Sequence, residues 1–234
     1  MFRMLRTLPF ALALTALSIF TAGCGSSSST KFRLVNAIPN APQAVDALID
    51  GKVVETAVQF DTPPSAYLSV SSGSRHLQVF PTGTTTGAYF DGNVSLSSGS
   101  DYTVVATGSV TNNTIVAPLF TDNNTAPTSS NAAVRFIHAS PSNQTPQDIY
   151  LVAPGTGDGG SPSISSVAYS AASTYLTVPA GSYDILITPT GFKSINITVP
   201  NVSFSAGQIR TYVLVDVPNG GAMSATPLVL NDLN

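Results

Sequence analysis

An all-β chain folded in two copies is what this sequence predicts. Three observations carry the prediction: period-two hydrophobicity, turn residues at short regular intervals, and an internal repeat. The alternation comes first. Ile195, Ile197 and Val199 alternate with Asn196, Thr198 and Pro200, and Leu176 and Val178 flank Thr177. Tyr183, Ile185 and Ile187 share a face opposite Asp184 and Thr188, while Leu77 and Val79 lie opposite Gln78. Such runs, separated by Ser-Gly or Pro-x-Gly turns every ~8–12 residues, have the spacing of a β-sandwich or barrel. Val104-Val105-Ala106 and Val213-Leu214-Val215 are continuous apolar runs, expected of central strands covered on both faces. No stretch beyond the first 30 residues keeps a helical stripe.

The repeat is legible residue by residue. Phe32-Arg33-Leu34-Val35-Asn36-Ala37-Ile38-Pro39 matches Val134-Arg135-Phe136-Ile137-His138-Ala139-Ser140-Pro141 at an offset of 102, which Asp46 and Asp148 keep. Tyr67 to Ser74 matches Tyr175 to Ser182 at 108, as do Pro81-Thr82-Gly83 with Pro189-Thr190-Gly191 and Val94 to Gly99 with Val202 to Gly207. Pro118-Leu119 and Pro227-Leu228 sit at 109, which places one further residue near Gln208. The six-residue jump falls between Asp148 and Tyr175, where the second copy carries Gly155-Thr156-Gly157-Asp158-Gly159-Gly160. Strands cannot absorb insertions without turning their buried face outward, so this one is expected in a surface loop.

The organisation that follows has five parts: a signal segment (1–23), a Ser-rich tether (24–30), a first module (31–122), a linker rich in Asn, Thr, Ser and Pro (123–131), and a second module (132–234). Each module has an ordinary domain size. The expected fold is two tandem antiparallel β-sandwiches of the immunoglobulin or prealbumin sort.

These residues also carry a resemblance. Val134-Arg135-Phe136-Ile137-His138-Ala139-Ser140-Pro141, the following Asp148, then Tyr175-Leu176-Thr177-Val178-Pro179-Ala180-Gly181-Ser182-Tyr183 and an apolar strand after Ala206-Gly207 resemble the domain of unknown function family 4397. The second copy, Val134 to Val217, fits better than the first, where Asn36 stands for His138 and Ser71-Ser72 for Pro179-Ala180. The resemblance implies a β-sandwich module of bacterial envelope proteins, often in tandem, and implies no activity.

The first residues have the zones of an export signal. Arg3 and Arg6 form a basic start, Leu8 to Phe20 an uncharged run of 13 residues, and Thr21-Ala22-Gly23-Cys24 resembles a bacterial lipobox. That resemblance implies cleavage before Cys24 and a diacylglycerol (with palmitate) on its thiol; Thr21 departs from the usual Leu. An uncleaved anchor would need about 20 apolar residues. Cys24 is the only cysteine, so lipidation accounts for all the thiol chemistry of the chain and leaves no disulfide, thiolate metal site or cysteine nucleophile. Six flexible tether residues span ~13 Å, which holds the first module near the membrane. Gly25 follows Cys24 where Asp retains lipoproteins at the inner membrane, so the lean is to the outer membrane.

After cleavage seven Lys and Arg face 12 acids, a net charge of −5. Charged residues are 9% of the chain, with 30 Ser and 26 Thr in their place, a composition suited to the open faces of sheets. No basic footprint for nucleic acid exists.

Chemistry-bearing residues are scarce. His76 and His138 are the only histidines and occupy different places in their modules. His138 with Asp148 is the candidate ligand-binding pair, or with Ser140 a hydrolase arrangement. Against this, Asn36 and Asp46 hold the same places in the first copy, which favours a role in the turn after the first strand, and an Asp beside Pro-rich turns ordinarily binds backbone N–H groups. No catalytic residue, metal site or cofactor is expected. Gly155–Gly160 offers one Asp where calcium needs six to eight oxygens. Without Trp, a glycan platform would rest on Tyr89, Phe90, Tyr169 or Phe192. The expected function is that of a non-catalytic envelope lipoprotein, a spacer or a binding module for a protein or glycan. An envelope hydrolase and an accessory subunit that pairs by its strand edges are the alternatives.

Overall fold

The computed structural model describes residues 28–64, 66–128 and 130–232. The expected export segment, Cys24 and the expected tether up to residue 27 lie outside the described residues. Within them there are strands, turns and loops, and no helix long and apolar enough to cross a membrane.

The first repeat forms β1 (Ser29–Ala37), β2 (Val45–Ile49), β3 (Lys52–Val58), β4 (Leu68–Ser71), β5 (Gly73–Pro81), β6 (Phe90–Leu96), β7 (Asp101–Thr107) and β8 (Leu119–Asp122). The second forms their counterparts in the same order: β9 (Asn131–His138), β10 (Gln147–Val152), β11 (Ile164–Val167), β12 (Leu176–Pro179), β13 (Gly181–Pro189), β14 (Ile197–Phe204), β15 (Ile209–Leu214) and β16 (Leu228–Asn231). Each repeat makes two four-stranded sheets. The inner sheets run β4-β1-β7-β8 and β12-β9-β15-β16; the outer sheets run β3-β2-β5-β6 and β11-β10-β13-β14. The six-residue insertion lies in the loop between β10 and β11.

Period-two patterning builds each sandwich. Phe32 and Leu34 of β1, Val104 of β7 and Val45, Ala47, Leu77 and Val79 of the outer sheet close the first core. Val134, Phe136, Ile149, Ile185, Ile187, Phe204 and Tyr212 close the second, with Phe136 and Tyr212 stacked at 5.3 Å. Each Val, Leu, Ile or Phe side chain among them contributes ~1.5–3 kcal/mol on burial.

One pairing in each module departs from the antiparallel expectation. β1 runs parallel to β7 (Phe32 opposite Tyr102, Leu34 opposite Val104), and β9 runs parallel to β15 (Phe136 opposite Tyr212). The chain crosses to the outer sheet for β2 and β3, returns for β4 antiparallel to β1, crosses again for β5 and β6, and re-enters at β7 from the same end as β1. Alternation of side chains specifies faces and carries no information on strand direction.

The repeat register also needs correction at its end. Arg33 lies opposite Thr103 and Arg135 opposite Thr211, so β7 and β15 still correspond at 108. Thr103 then pairs with Phe120 and Thr211 with Leu230, which sets β8 and β16 at 110, one residue beyond the Pro-Leu match. Two extra residues therefore enter the loop between β15 and β16, and none near Gln208. A slip of one residue exchanges the faces of a strand, so the distinction decides which side chains correspond.

The second faces of the inner sheets meet each other. Val35, Ala37 and Val105 of the first module pack in one buried cluster with Ile137, Ala139, Val213, Val215, Leu228 and Leu230 of the second, flanked by Phe120 and Ala172. This explains the continuous apolar runs: Val104 serves its own sandwich and Val105 the junction, and likewise Leu214 and Val213. The modules are stacked as four sheet layers.

Candidate functional site at the module junction

The junction holds a buried charge lattice that repeats across an approximate two-fold. Arg33 donates from Nε to Thr103 Oγ1 (2.7 Å), from Nη1 to Asn231 O (3.0 Å) and from Nη2 to Asp232 Oδ1. Arg135 donates from Nε to Thr211 Oγ1 (3.2 Å), from Nη1 to Thr121 O (3.2 Å) and from Nη2 to Asp122 Oδ1 (2.5 Å). The arginine of each module thus holds the aspartate of the other. Thr103 and Thr211 donate to Asp122 (2.6 Å) and Asp232 (3.1 Å), so each threonine couples the ion pair to its strand. Tyr67 and Tyr175 cover the guanidinium faces at 4.4 and 4.6 Å. Both arginines are 2% exposed. Two cations and two anions cancel, and every guanidinium nitrogen and carboxylate oxygen has a partner, which is the condition for burying charge at tolerable cost.

The lattice is not fully symmetric. Asp122 also accepts from Tyr67 Oη at 2.6 Å and lies 3.8 Å from Arg33, so it ties both arginines. Burial of the Tyr67 hydroxyl, with Asp122 beside it, pushes its pKa well above the ordinary value.

At one end of the junction, the loops following β1, β7, β9 and β15 enclose a cleft of 220 Å³. Asn219 N donates to Pro39 O (2.7 Å) and Thr107 Oγ1 to Ala139 O (2.7 Å), so both modules are stitched together at its edge. Asp216 lies beneath it, 1% exposed. It accepts the Ser140 hydroxyl, the Ser142 hydroxyl (2.8 Å) and the Ser142 N–H (3.1 Å). The corresponding residue of the first module is Gly108 (φ 123°), where an added Cβ would lie 2.4 Å from Thr114 O. The two copies close the same corner differently, one with a tight backbone turn and the other with a serine-clasped carboxylate.

No hydrogen bond joins the two residues singled out from sequence. His138 is buried in the chain's interior; its Nδ1 accepts the Ser140 N–H at 3.4 Å, and its Nε2 lies 3.2 Å from Thr145 O, which assigns the proton to Nε2. Burial holds its pKa below the ordinary histidine value, against the Thr145 and Asn143 backbone bonds and the Asp216 charge, which raise it. Asn36 caps the same turn in the first copy, where Oδ1 accepts the Ile38 N–H (3.1 Å), but its Nδ2 donates to Val58 O of β3 (3.0 Å) and not to the loop before β2. Asp148 instead accepts Ser166 N–H (2.8 Å), Gly191 N–H (3.1 Å) and the Thr190 hydroxyl (3.1 Å). Asp46 repeats this with Ala57 N–H (2.8 Å), Gly83 N–H (3.0 Å) and Thr82 (2.8 Å). Ala57 and Ser166 have φ of 54° and 55°, so each aspartate secures a strained position on the edge strand β3 or β11. Burial raises both carboxyl pKa values, but the donors outweigh it and the net shift is downward. Ser140 is fully buried and donates to Asp216, not to His138, so the serine–histidine–aspartate arrangement is not assembled.

Of the aromatics considered as a platform, Tyr89 and Phe90 pack against the first core, and Tyr169 sits edge-on to His138 at 5.9 Å. Phe192 is 65% exposed on the turn between β13 and β14. Its neighbour Lys193 lies 4.5 Å over Tyr150 and donates to Asp158 O (2.6 Å) and Gly160 O, which pins the inserted loop. Among the described residues no group of acids and histidines is arranged to hold a metal ion.

The chain belongs to the family of the domain of unknown function DUF4397, whose model matches residues 30–150. The match spans the first module and continues into β9 and β10, so it does not single out the second copy as the better representative. No curated protein matches the chain. Solved structures similar to it include the Bacillus anthracis TIE protein (10% identity, TM-score 0.26), with 80% of this chain aligned; the chain spans about a third (33%) of that protein. The family CBM26 module of Eubacterium rectale Amy13K, solved with maltoheptaose, aligns over 88% of this chain and 98% of its own at 10% identity and TM-score 0.28. A streptococcal virulence factor described as binding α-glucan aligns over 84% and 97% at 10% identity and TM-score 0.25.

Proposed function

We propose that this protein is a non-catalytic lipoprotein of the cell envelope, anchored through a lipid on Cys24 and presenting its stacked sandwiches as a rigid binding platform for a glycan or protein. The observation that carries the binding reading is that both copies turn corresponding loops onto one polar cleft. A pure spacer has no use for such convergence, and face-to-face stacking shortens the reach that tandem modules would give a spacer. The lipobox-like Thr21-Ala22-Gly23-Cys24 supports the anchor, and Gly25 supports an outer-membrane destination. A net charge of −5 after cleavage argues against anionic polymers as the partner.

Pull-down of the lipidated protein from membranes is the test of binding: a glycan or protein enriched above a Cys24→Ala control supports the proposal, and enrichment of nothing counts against it. Palmitate labelling tests the anchor. Label lost in Cys24→Ala with release from membranes is expected; unchanged membrane partitioning would refute lipidation as the tether.

A further inference from the structure

The cleft takes loops from both copies, and its lining limits what it can hold. Ser109 and Asn112 enter from the first module, Ser142 and Asn219 from the second; Pro141 contributes a half-buried ring, while Pro39 is buried beside Gly220. No Lys, Arg or His is among the lining residues, and the Asp216 carboxylate beneath them would repel an anion. Asp216 is too deeply seated to offer a cation a direct ion pair, because its oxygens already face three donors from Ser140 and Ser142.

The remaining capacity is that of neutral hydrogen bonding. Asn112 and Asn219 are exposed, one from each module, and neither carboxamide has a hydrogen-bond partner among the described residues. Each amide offers a donor and an acceptor side by side. The Ser109 hydroxyl accepts from Asn40 Nδ2 (3.0 Å) and Asn112 N (3.3 Å), which leaves its proton to donate into the cleft. The walls are held firm: Asn40 Oδ1 accepts Val110 N–H at 3.1 Å, and the Asn219 N–H is tied to Pro39 O. At 220 Å³ the space is smaller than the ~300–1,000 Å³ of drug-sized pockets.

We infer that this cleft binds a single neutral sugar residue of a glycan, with Asn112 and Asn219 gripping its hydroxyls from the two modules and the ring of Pro141 against its C–H face. Neighbouring hydroxyls on a sugar ring pair with the two atoms of a carboxamide, and pyrrolidine rings supply apolar contact without charge. The site exists only because the modules are locked, so the Arg–Asp lattice is its support. This inference rests on the glycan reading proposed above and narrows it to one place.

Titration calorimetry on the full chain with maltoheptaose, cellohexaose and hexameric N-acetylglucosamine tests it. Binding of at least one is expected, weakened tenfold or more in the N112A/N219A double variant and abolished by Asn112→Trp, which blocks the rim from an exposed loop. Both variants should keep the unaltered thermal midpoint, and Phe192→Ala should keep full affinity. Undiminished affinity in N112A/N219A would overturn the cleft assignment while leaving glycan binding intact. Failure of all three oligosaccharides to bind the unaltered chain would overturn the glycan reading together with the cleft.

Discussion

The two modules share every strand and differ mainly in the loops at one end and in the outer-sheet turns. Where they agree, the residues do structural work. Asp46 and Asp148 make the same three contacts, Arg33 and Arg135 the same kinds of bond, and Asn36 and His138 fold the same turn with different chemistry. Where they differ, the second copy carries polar groups that the first lacks: the buried Asp216 for Gly108, the buried Ser140 for Ile38, and the loop pinned by Lys193. Divergence after duplication has gathered around the junction cleft and around the distal turn that bears Phe192. Retained residues therefore locate the architecture, and diverged residues locate the candidate function.

The largest effect expected of any substitution is at the lattice. Arg33→Ala or Arg135→Ala leaves a buried carboxylate without its partner and should cost ~3–5 kcal/mol in urea unfolding. Asp122 ties both arginines and Tyr67, so Asp122→Ala should exceed Asp232→Ala; equal losses would remove the asymmetry.

Next come Asp46→Ala and Asp148→Ala. Each strands two backbone N–H groups and should cost ~1–3 kcal/mol. The two losses should match within error, since the contacts match. A large loss at only one would mean that the copies are not equivalent there.

His138 gives a smaller effect with a pH signature. Its folded pKa is depressed, so above the ordinary value of 6.5 both folded and unfolded chains carry it neutral and it costs nothing. As pH falls below 6.5 the unfolded chain takes the proton first, and stability declines until the folded pKa is reached. Replacement by Asn, the first module's residue, should flatten that decline while changing stability at pH 8 by no more than ~1 kcal/mol. Smallest of all, Phe192→Ala should stay within ~0.5 kcal/mol, because the ring is largely in solvent.

The sequence disclosed the fold through its faces. Alternation located the strands, and the apolar run at Val213–Val215 showed that both sides of a central strand are covered, though not by what. The partner proved to be the other module. The arginines were visible as a matched pair at offset 102, flanked by apolar residues in a chain with few cations, and that combination was the signal for a buried ion pair. Their acids were hidden by the register. At 109 Asp122 matches Asn231, and only at 110, set by the pairing of Thr103 with Phe120 and Thr211 with Leu230, does it match Asp232. Strand direction was not legible, since the parallel pairing of β1 with β7 depends on the route of the chain between them. The cleft was invisible because its walls come from loops about 100 residues apart, brought together only by the stacking. His138 and Asp148 drew notice by residue type alone, and hydrogen-bond partners, not proximity, decide what each does.

The central claim is that the modules are one body locked through their inner sheets. Differential scanning calorimetry of the chain tests it most directly. The account predicts a single transition in which the calorimetric and van't Hoff enthalpies agree, lowered in midpoint by Arg135→Ala. Two independent transitions in the unaltered chain, with Arg135→Ala leaving both in place, would contradict it.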